Sequence, residues 1–330
     1  MNNKPRFKFA ILMLSLVLVA CSGGSAEAGC PEIDNREINV VATTPMIGEF
    51  VSQVGGDNIN LTVLMPPEAD PHTYDPAPQD AGKIADADLV FYTGLKYEPA
   101  ALIKLLENSA CSAEVLAEVG ENVFPIEFKE GGHDEEGHDD HDEEGHDDHA
   151  GHDHGAYDPH FWFDPNRVAY AAEYIESKLV EFDPSNASDY EAAGKAYVTE
   201  LKGLVGQVSE LISTIPSQNR KLITTHESLG YLEAKFGLEV LSTIIPSLDS
   251  ANEISPSQLV GVIDLIEDNN VKVIFIEAEA PSVYAETIVA ETGIRPVEGL
   301  WVETLKEGQS YPEFLFEAVE LIVENLRNTD

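Results

Sequence analysis

Short apolar runs separated by polar stretches dominate this chain. Ile38–Ala42, Ile59–Leu64 and Leu89–Tyr92 have the length and composition of buried strands. Helix-compatible segments lie between them, one around Pro78–Ala85, and Glu98–Asn108 places Leu102, Leu105 and Leu106 at helical spacing. From Asp164 the pattern becomes strongly helical. Asp164 suits a helix cap and Pro165 the first turn, and the helix runs to about Glu181. Asp183-Pro184 breaks it, and Ser185 opens a second helix reaching Thr214, just before Pro216. About 30 residues at 1.5 Å each make a rod on the order of 45 Å, long enough to link two domains. The strand–helix alternation then returns. Strands at Lys221–Thr224, Leu238–Ser242, Val271–Ile276 and 295–301 alternate with helices at Leu229–Phe236, Ser257–Asn269, Ser282–Thr292 and Glu313–Leu326. Gly293 sits just past the third of those helices, where a left-handed residue closes a helix. Alternation of this kind builds parallel sheets, so the chain reads as two α/β domains joined by a long helix.

Two segments break the pattern. Lys4, Arg6 and Lys8 precede an apolar run from Phe9 to Ala20, too short for a bilayer, and Leu18-Val19-Ala20-Cys21 follows the form of a secretory signal. A cysteine directly after the small residue resembles the lipobox of bacterial lipoproteins. That implies cleavage before Cys21 and a lipid on its thiol. Residues 130–155 consist almost wholly of Gly, His, Asp and Glu, with no apolar period, and read as a solvated loop. The predicted organisation is a signal peptide at 1–20 and a tether at 21–35. An N-terminal α/β domain at 36–165 includes the loop. A helical connection at 166–215 and a C-terminal α/β domain at 216–330 follow.

The formal net charge of −41 argues against nucleic acid as a partner and enriches cations near the surface. Cys30 and Cys111 are a candidate disulfide outside the cytoplasm, although sequence does not show that their α-carbons come within reach. The chain has no Cys-x-x-Cys and no Gly-x-x-x-x-Gly-Lys-Ser/Thr. Any use of ATP therefore belongs to a partner.

Histidine carries the candidate chemistry. Seven of the ten lie in the loop: His133, His138, His141, His146, His149, His152 and His154. They alternate with acidic residues, a composition that binds metal weakly and exchanges it fast. The other three are His72, His160 and His226. His72 follows the strand ending at Leu64, His226 follows the first strand of the second half, and His160 precedes the helical connection. Ligands of open α/β sheets bind beyond the carboxyl ends of strands, so these three can meet in a cleft between the halves. Neutral imidazole suits zinc, and three nitrogens leave one tetrahedral position for a carboxylate or water. Glu303, just after the last strand, is the leading fourth candidate. Glu277 is next, and Glu279 and Asp249 are further options. A zinc hydrolase would use a similar set with an open position and a general base. The chain has no His-Glu-x-x-His, and Glu227 beside His226 should point away from it. A binding protein, not an enzyme, is the expectation.

The segments Asp70-Pro71-His72, Asp158-Pro159-His160-Phe161-Trp162 and Thr225-His226-Glu227-Ser228-Leu229-Gly230-Tyr231 resemble the metal-binding segments of the zinc/manganese class of ABC-importer binding proteins, the ZnuA and TroA type. The likeness spans nearly all of residues 36–330. It implies two (β/α)4-type domains with parallel four-stranded sheets, a rigid joining helix and a metal site in the interdomain cleft. Its ligand positions fall on His72, His160 and His226, with the acidic ligand of some members at Glu303, where Asp is more common. Manganese-specific members tend to carry a carboxylate where this chain has His226, so zinc is the expected cargo, with manganese the alternative. The resemblance further implies a monomer that delivers metal to a membrane permease with a cytoplasmic ATPase. A surface adhesin or a zinc buffer is the competing role.

Overall fold

The structure is a computed structural model that describes Cys30, Ile33 and residues 36–128, 157–248, 250, 252–279 and 282–327. The signal region with Cys21, the histidines from His133 to His154 and Asp249 lie outside the described residues.

The first apolar run is strand β1 (Ile38–Ala42). Thr44 then caps helix α1 (Pro45–Gly55): its side chain accepts the Ile47 N–H, and Pro45 occupies the first turn. β2 (Ile59–Val63), α2 (Asp80–Ala85), β3 (Leu89–Tyr92), α3 (Ala100–Ser109) and β4 (Leu116–Glu118) complete the first unit. The sequence pattern did not mark β4, because three residues carry no readable period. Next come α4 (Pro165–Phe182) and α5 (Ala187–Ser213). Asp164 caps α4 as expected, its side chain accepting the Asn166 N–H. The 27 residues of α5 span roughly 40 Å.

The second unit holds β5 (Lys221–His226), α6 (Gly230–Phe236), β6 (Glu239–Ile245), α7 (Pro256–Asn269), β7 (Val273–Glu277), α8 (Val283–Thr292), β8 (Arg295–Leu300) and α9 (Tyr311–Arg327). Two boundaries differ from the pattern for clear reasons. β5 runs on through Thr225 and His226, because His226 still pairs with Ile245 of β6. β7 begins at Val273 rather than Val271, because Asn270 turns left-handed (φ 51°) and the Val271 N–H bonds back to the Ile266 carbonyl, closing α7.

Each unit has a four-stranded parallel sheet, in the orders β2-β1-β3-β4 and β6-β5-β7-β8. Strand order reverses between β1 and β3, and between β5 and β7. Those switch points open a crevice at the carboxyl ends of the strands, where such sheets bind ligands. Each half has a smaller apolar cluster of its own, around Val90 and Leu102 in the first and Ile223 and Ile274 in the second, but the largest cluster is shared. One apolar cluster runs from Val40 and Phe50 through Trp162 and Leu201 of α5 to Phe275 and Phe314. The Tyr311 hydroxyl of α9 also donates to the Trp162 carbonyl at 2.7 Å. A shared core of this kind opposes wide hinge motion, since opening would expose it to water.

Cys30 and Cys111 form a disulfide, which ties the segment ahead of β1 to the segment after α3. No helix among the described residues is long and apolar enough to cross a membrane.

Candidate metal centre

The two switch points face each other across the crevice, and four side chains converge there. His72 lies in a 3₁₀ turn beyond β2, entered through Asp70, whose carboxylate accepts the His72 N–H at 3.0 Å. His160 uses the same device: Asp158 Oδ1 accepts its N–H at 2.8 Å. His226 ends β5, and Glu303 follows β8. One ligand atom from each of the four lies within 4.8 Å of all the others.

All three rings aim Nε2 at one oxygen. The distances to Glu303 Oε1 are 3.4 Å from His72, 3.2 Å from His160 and 2.6 Å from His226. A tetrahedron with zinc–ligand arms of about 2.0–2.1 Å has edges of roughly 3.3 Å, which the His72 and His160 distances match, while His226 stands closer. The Nε2 atoms of His72 and His226 are buried without a well-aligned hydrogen bond. His226 Nε2 therefore stands 2.6 Å from Glu303 Oε1 at a poor hydrogen-bonding angle. Buried polar atoms left without a partner are costly, and a cation at that centre would satisfy them. The donor set, three imidazoles and one carboxylate, fits a zinc-like ion.

The far side of each ring is also fixed. His160 Nδ1 bonds Asp158 Oδ1 at 2.8 Å, and His226 Nδ1 bonds Glu277 Oε2. Carboxylates in this position set the tautomer and raise the basicity of a metal-binding histidine. Burial alone would lower the basicity of His160, but the charge of Glu303 and the bond to Asp158 outweigh it and lift the pKa to about 9. His226 rises well above its usual value: burial opposes this, and Glu277 and Glu303 overcome it. Glu303 falls well below the carboxylate range, because the three histidines outweigh its burial. Without metal, protons hold the cluster together, and an arriving cation must displace them.

Glu277 and Glu279, weighed above as fourth ligands, have other places. Glu277 accepts from His226 Nδ1, the His226 N–H and the Ser228 hydroxyl. Glu279 Oε1 accepts the N–H groups of Val302, Glu303 and Thr304, fixing the loop that carries Glu303. Burial and repulsion from Glu303 outweigh those bonds and push Glu279 up to about 8. Glu227 points away from the cluster and bonds the Thr243 hydroxyl.

Sequence reasoning missed three supports. Trp162 donates Nε1–H to the Val302 carbonyl at 2.8 Å, bridging the halves. Gly230 lets the Asp158 carboxylate approach: a Cβ there would stand 2.5 Å from Asp158 Oδ2. Tyr97 reaches Glu303 through its hydroxyl. The repeated Asp-Pro-His was the one signal available for the paired turns, since Asp commonly accepts the N–H two residues on.

A family model described as the zinc-uptake complex component A, periplasmic (ZnuA), matches residues 40–325. The metal ABC transporter substrate-binding lipoprotein ScbA of Streptococcus cristatus is 29% identical, covering 98% of this chain and 99% of its own. The manganese-binding lipoprotein MntA of Halalkalibacterium halodurans is 25% identical, covering 88% and 87%. Among solved structures, the periplasmic zinc-binding protein TroA from Treponema pallidum shares the fold with a TM-score of 0.72 at 22% identity, covering 88% of this chain and 99% of its own.

Proposed function

The chain belongs to the ZnuA family of metal ABC transporter substrate-binding proteins, and from that premise we propose that it captures zinc in the cleft and delivers it to an ABC-type importer. The observation that carries this reading is the convergence of three Nε2 atoms on one carboxylate oxygen. His72 and His160 would bind from the first half and His226 and Glu303 from the second. Three nitrogen donors favour zinc, whereas manganese sites are richer in oxygen. Glu303 as fourth ligand leaves no open position for a hydrolytic water, which supports transport over catalysis. The partners in this reading are a membrane permease and its cytoplasmic ATPase. The protein acts as a monomer outside the cytoplasm, held to the membrane by a lipid on Cys21. The loop histidines His133–His154 serve as an accessory metal scavenger or sensor that binds weakly and exchanges fast.

Manganese as cargo is the second reading, favoured by relatives such as MntA that are named for it. Calorimetric titration of zinc and manganese against a competing chelator separates the two. It is run on residues 22–330 and on the same chain lacking 132–155. The zinc reading expects one tight zinc site in both and loss of only weak sites on deletion. Tighter manganese binding, or loss of the tight site on deletion, would overturn it.

A further inference from the structure

The two oxygens of Glu303 have different neighbours. Oε1 faces the three histidines, and Oε2 faces Tyr97, whose hydroxyl lies 2.9 Å away. That hydroxyl is also 2.9 Å from the Glu303 carbonyl, but it has one proton to give, and the charged oxygen is the stronger acceptor. Tyr97 is held firmly. It is 1% exposed, and its ring packs edge-on against His72 (5.2 Å), Trp162 (5.3 Å) and His160 (5.9 Å).

The backbone leading to Tyr97 is strained in a directed way. Gly94, Leu95 and Lys96 are consecutively left-handed, with φ of 76°, 52° and 63°. Two of the three are not glycine, and such a run persists only where its surroundings impose it. Two carboxylates do so here. Buried Glu98 accepts the Thr93 N–H at 2.6 Å, the Gly94 N–H at 2.9 Å and the Thr43 hydroxyl at 2.7 Å. Glu118 accepts the Leu95 N–H at 2.9 Å. Thr43 follows β1 and Glu98 follows β3, so the clamp closes the switch point of the first sheet and aims Tyr97 across the cleft at the second unit.

We propose that Tyr97 determines metal choice: by occupying Oε2 it keeps Glu303 a one-oxygen ligand, so the cleft offers four donors to zinc and withholds the fifth that manganese would use. This rests on the cation-capture reading above. Carboxylates bind metals through one oxygen or two, manganese favours oxygen-rich, higher-coordinate shells, and zinc is satisfied by four ligands. Zinc already outranks manganese at a mixed nitrogen–oxygen site, and Tyr97 widens that gap.

The test is Tyr97→Phe in the full mature chain, which keeps the ring and removes the hydroxyl. Zinc and manganese affinities are measured by chelator competition, with near-UV circular dichroism to show that the fold is kept. Cobalt(II) is the spectroscopic probe, because its visible absorption weakens when coordination rises from four to five. The expected result is a manganese affinity that tightens about tenfold while zinc moves little, in line with the size of outer-shell effects, together with a weaker cobalt band. Proportional weakening of both metals with an unchanged cobalt spectrum would mean that Tyr97 only packs, and would overturn the proposal. A wild-type protein with no tight zinc site would overturn the parent reading along with it, a distinguishable outcome because it appears before any substitution is made.

Discussion

Asp158→Asn is the most informative single substitution, because it changes the charge behind His160 while nearly keeping its shape. Asp158 Oδ1 accepts from both the ring Nδ1 and the backbone N–H of His160, each at 2.8 Å. Loss of such an outer-shell carboxylate weakens metal binding by about 10- to 100-fold, or roughly 1.4–2.7 kcal/mol. Proton competition acts in the opposite direction. His160 binds metal only when neutral, and its pKa is raised to about 9. Below that pH each displaced proton weakens apparent affinity tenfold per unit, so the wild-type protein loses about 2.7 kcal/mol between pH 9 and pH 7 through this group alone. Asparagine removes one cause of the raised pKa, so in the variant proton competition starts at lower pH. The deficit should therefore be full near pH 9 and shrink toward pH 6. Zinc titrations against chelators of known pH dependence, at pH 6, 7, 8 and 9, read both effects. Equal affinities at pH 9, or a gap that widens on acidification, would refute the reasoning.

Trp162→Ala should cost about 3–5 kcal/mol in urea unfolding, because Trp162 is fully buried and its indole N–H bonds Val302 across the halves; a loss below 1 kcal/mol would show that the halves do not depend on it. Asp183→Ala removes a carboxylate that accepts from Ser185, Asn186 and Tyr190 between α4 and α5, and should cost about 2 kcal/mol at pH 7. Burial opposes ionisation of Asp183, but those bonds hold its pKa below the usual value. Its contribution is therefore full above the unfolded pKa and lost as pH falls through the folded one. The gap between the melting curves of the two proteins should shrink as acid protonates Asp183 below the usual carboxylate range, and a constant gap would contradict this. Saturating the cleft with zinc at about 100 times its Kd should add roughly 2.7 kcal/mol of stability, and a melting temperature unchanged by zinc would count against a site in the fold.

Local pattern determined most of the element order, β4 excepted, because short buried strands and capped amphipathic helices are specified by residues close in sequence. Asp164 with Pro165, and Gly293, marked helix ends that the structure places within a residue of the prediction. His72 and His226 were legible for a related reason: a residue beyond a parallel strand lies at the carboxyl edge of its sheet, whatever the tertiary arrangement, while His160, ahead of α4, was marked by its Asp-Pro-His segment. Which acidic residue joined them was open among Glu303, Glu277, Glu279 and Asp249. Among the described residues, only packing separated them. Glu277 sits at the switch point beside β5 and so meets Nδ1 of His226, while the loop after β8 turns Glu303 toward Nε2. Tyr97 had no local signal at all. Its hydroxyl reaches Glu303, 206 residues away in sequence, through a left-handed run clamped by its neighbour Glu98 and by the more remote Glu118. The same holds for the contact of Trp162 with Val302, whereas the Cys30–Cys111 disulfide was a candidate from the sequence that only the tertiary structure could decide. Secondary structure follows from short-range sterics and apolar period. Contacts between the halves depend on how two finished sheets pack around one shared core, which no window of the sequence contains.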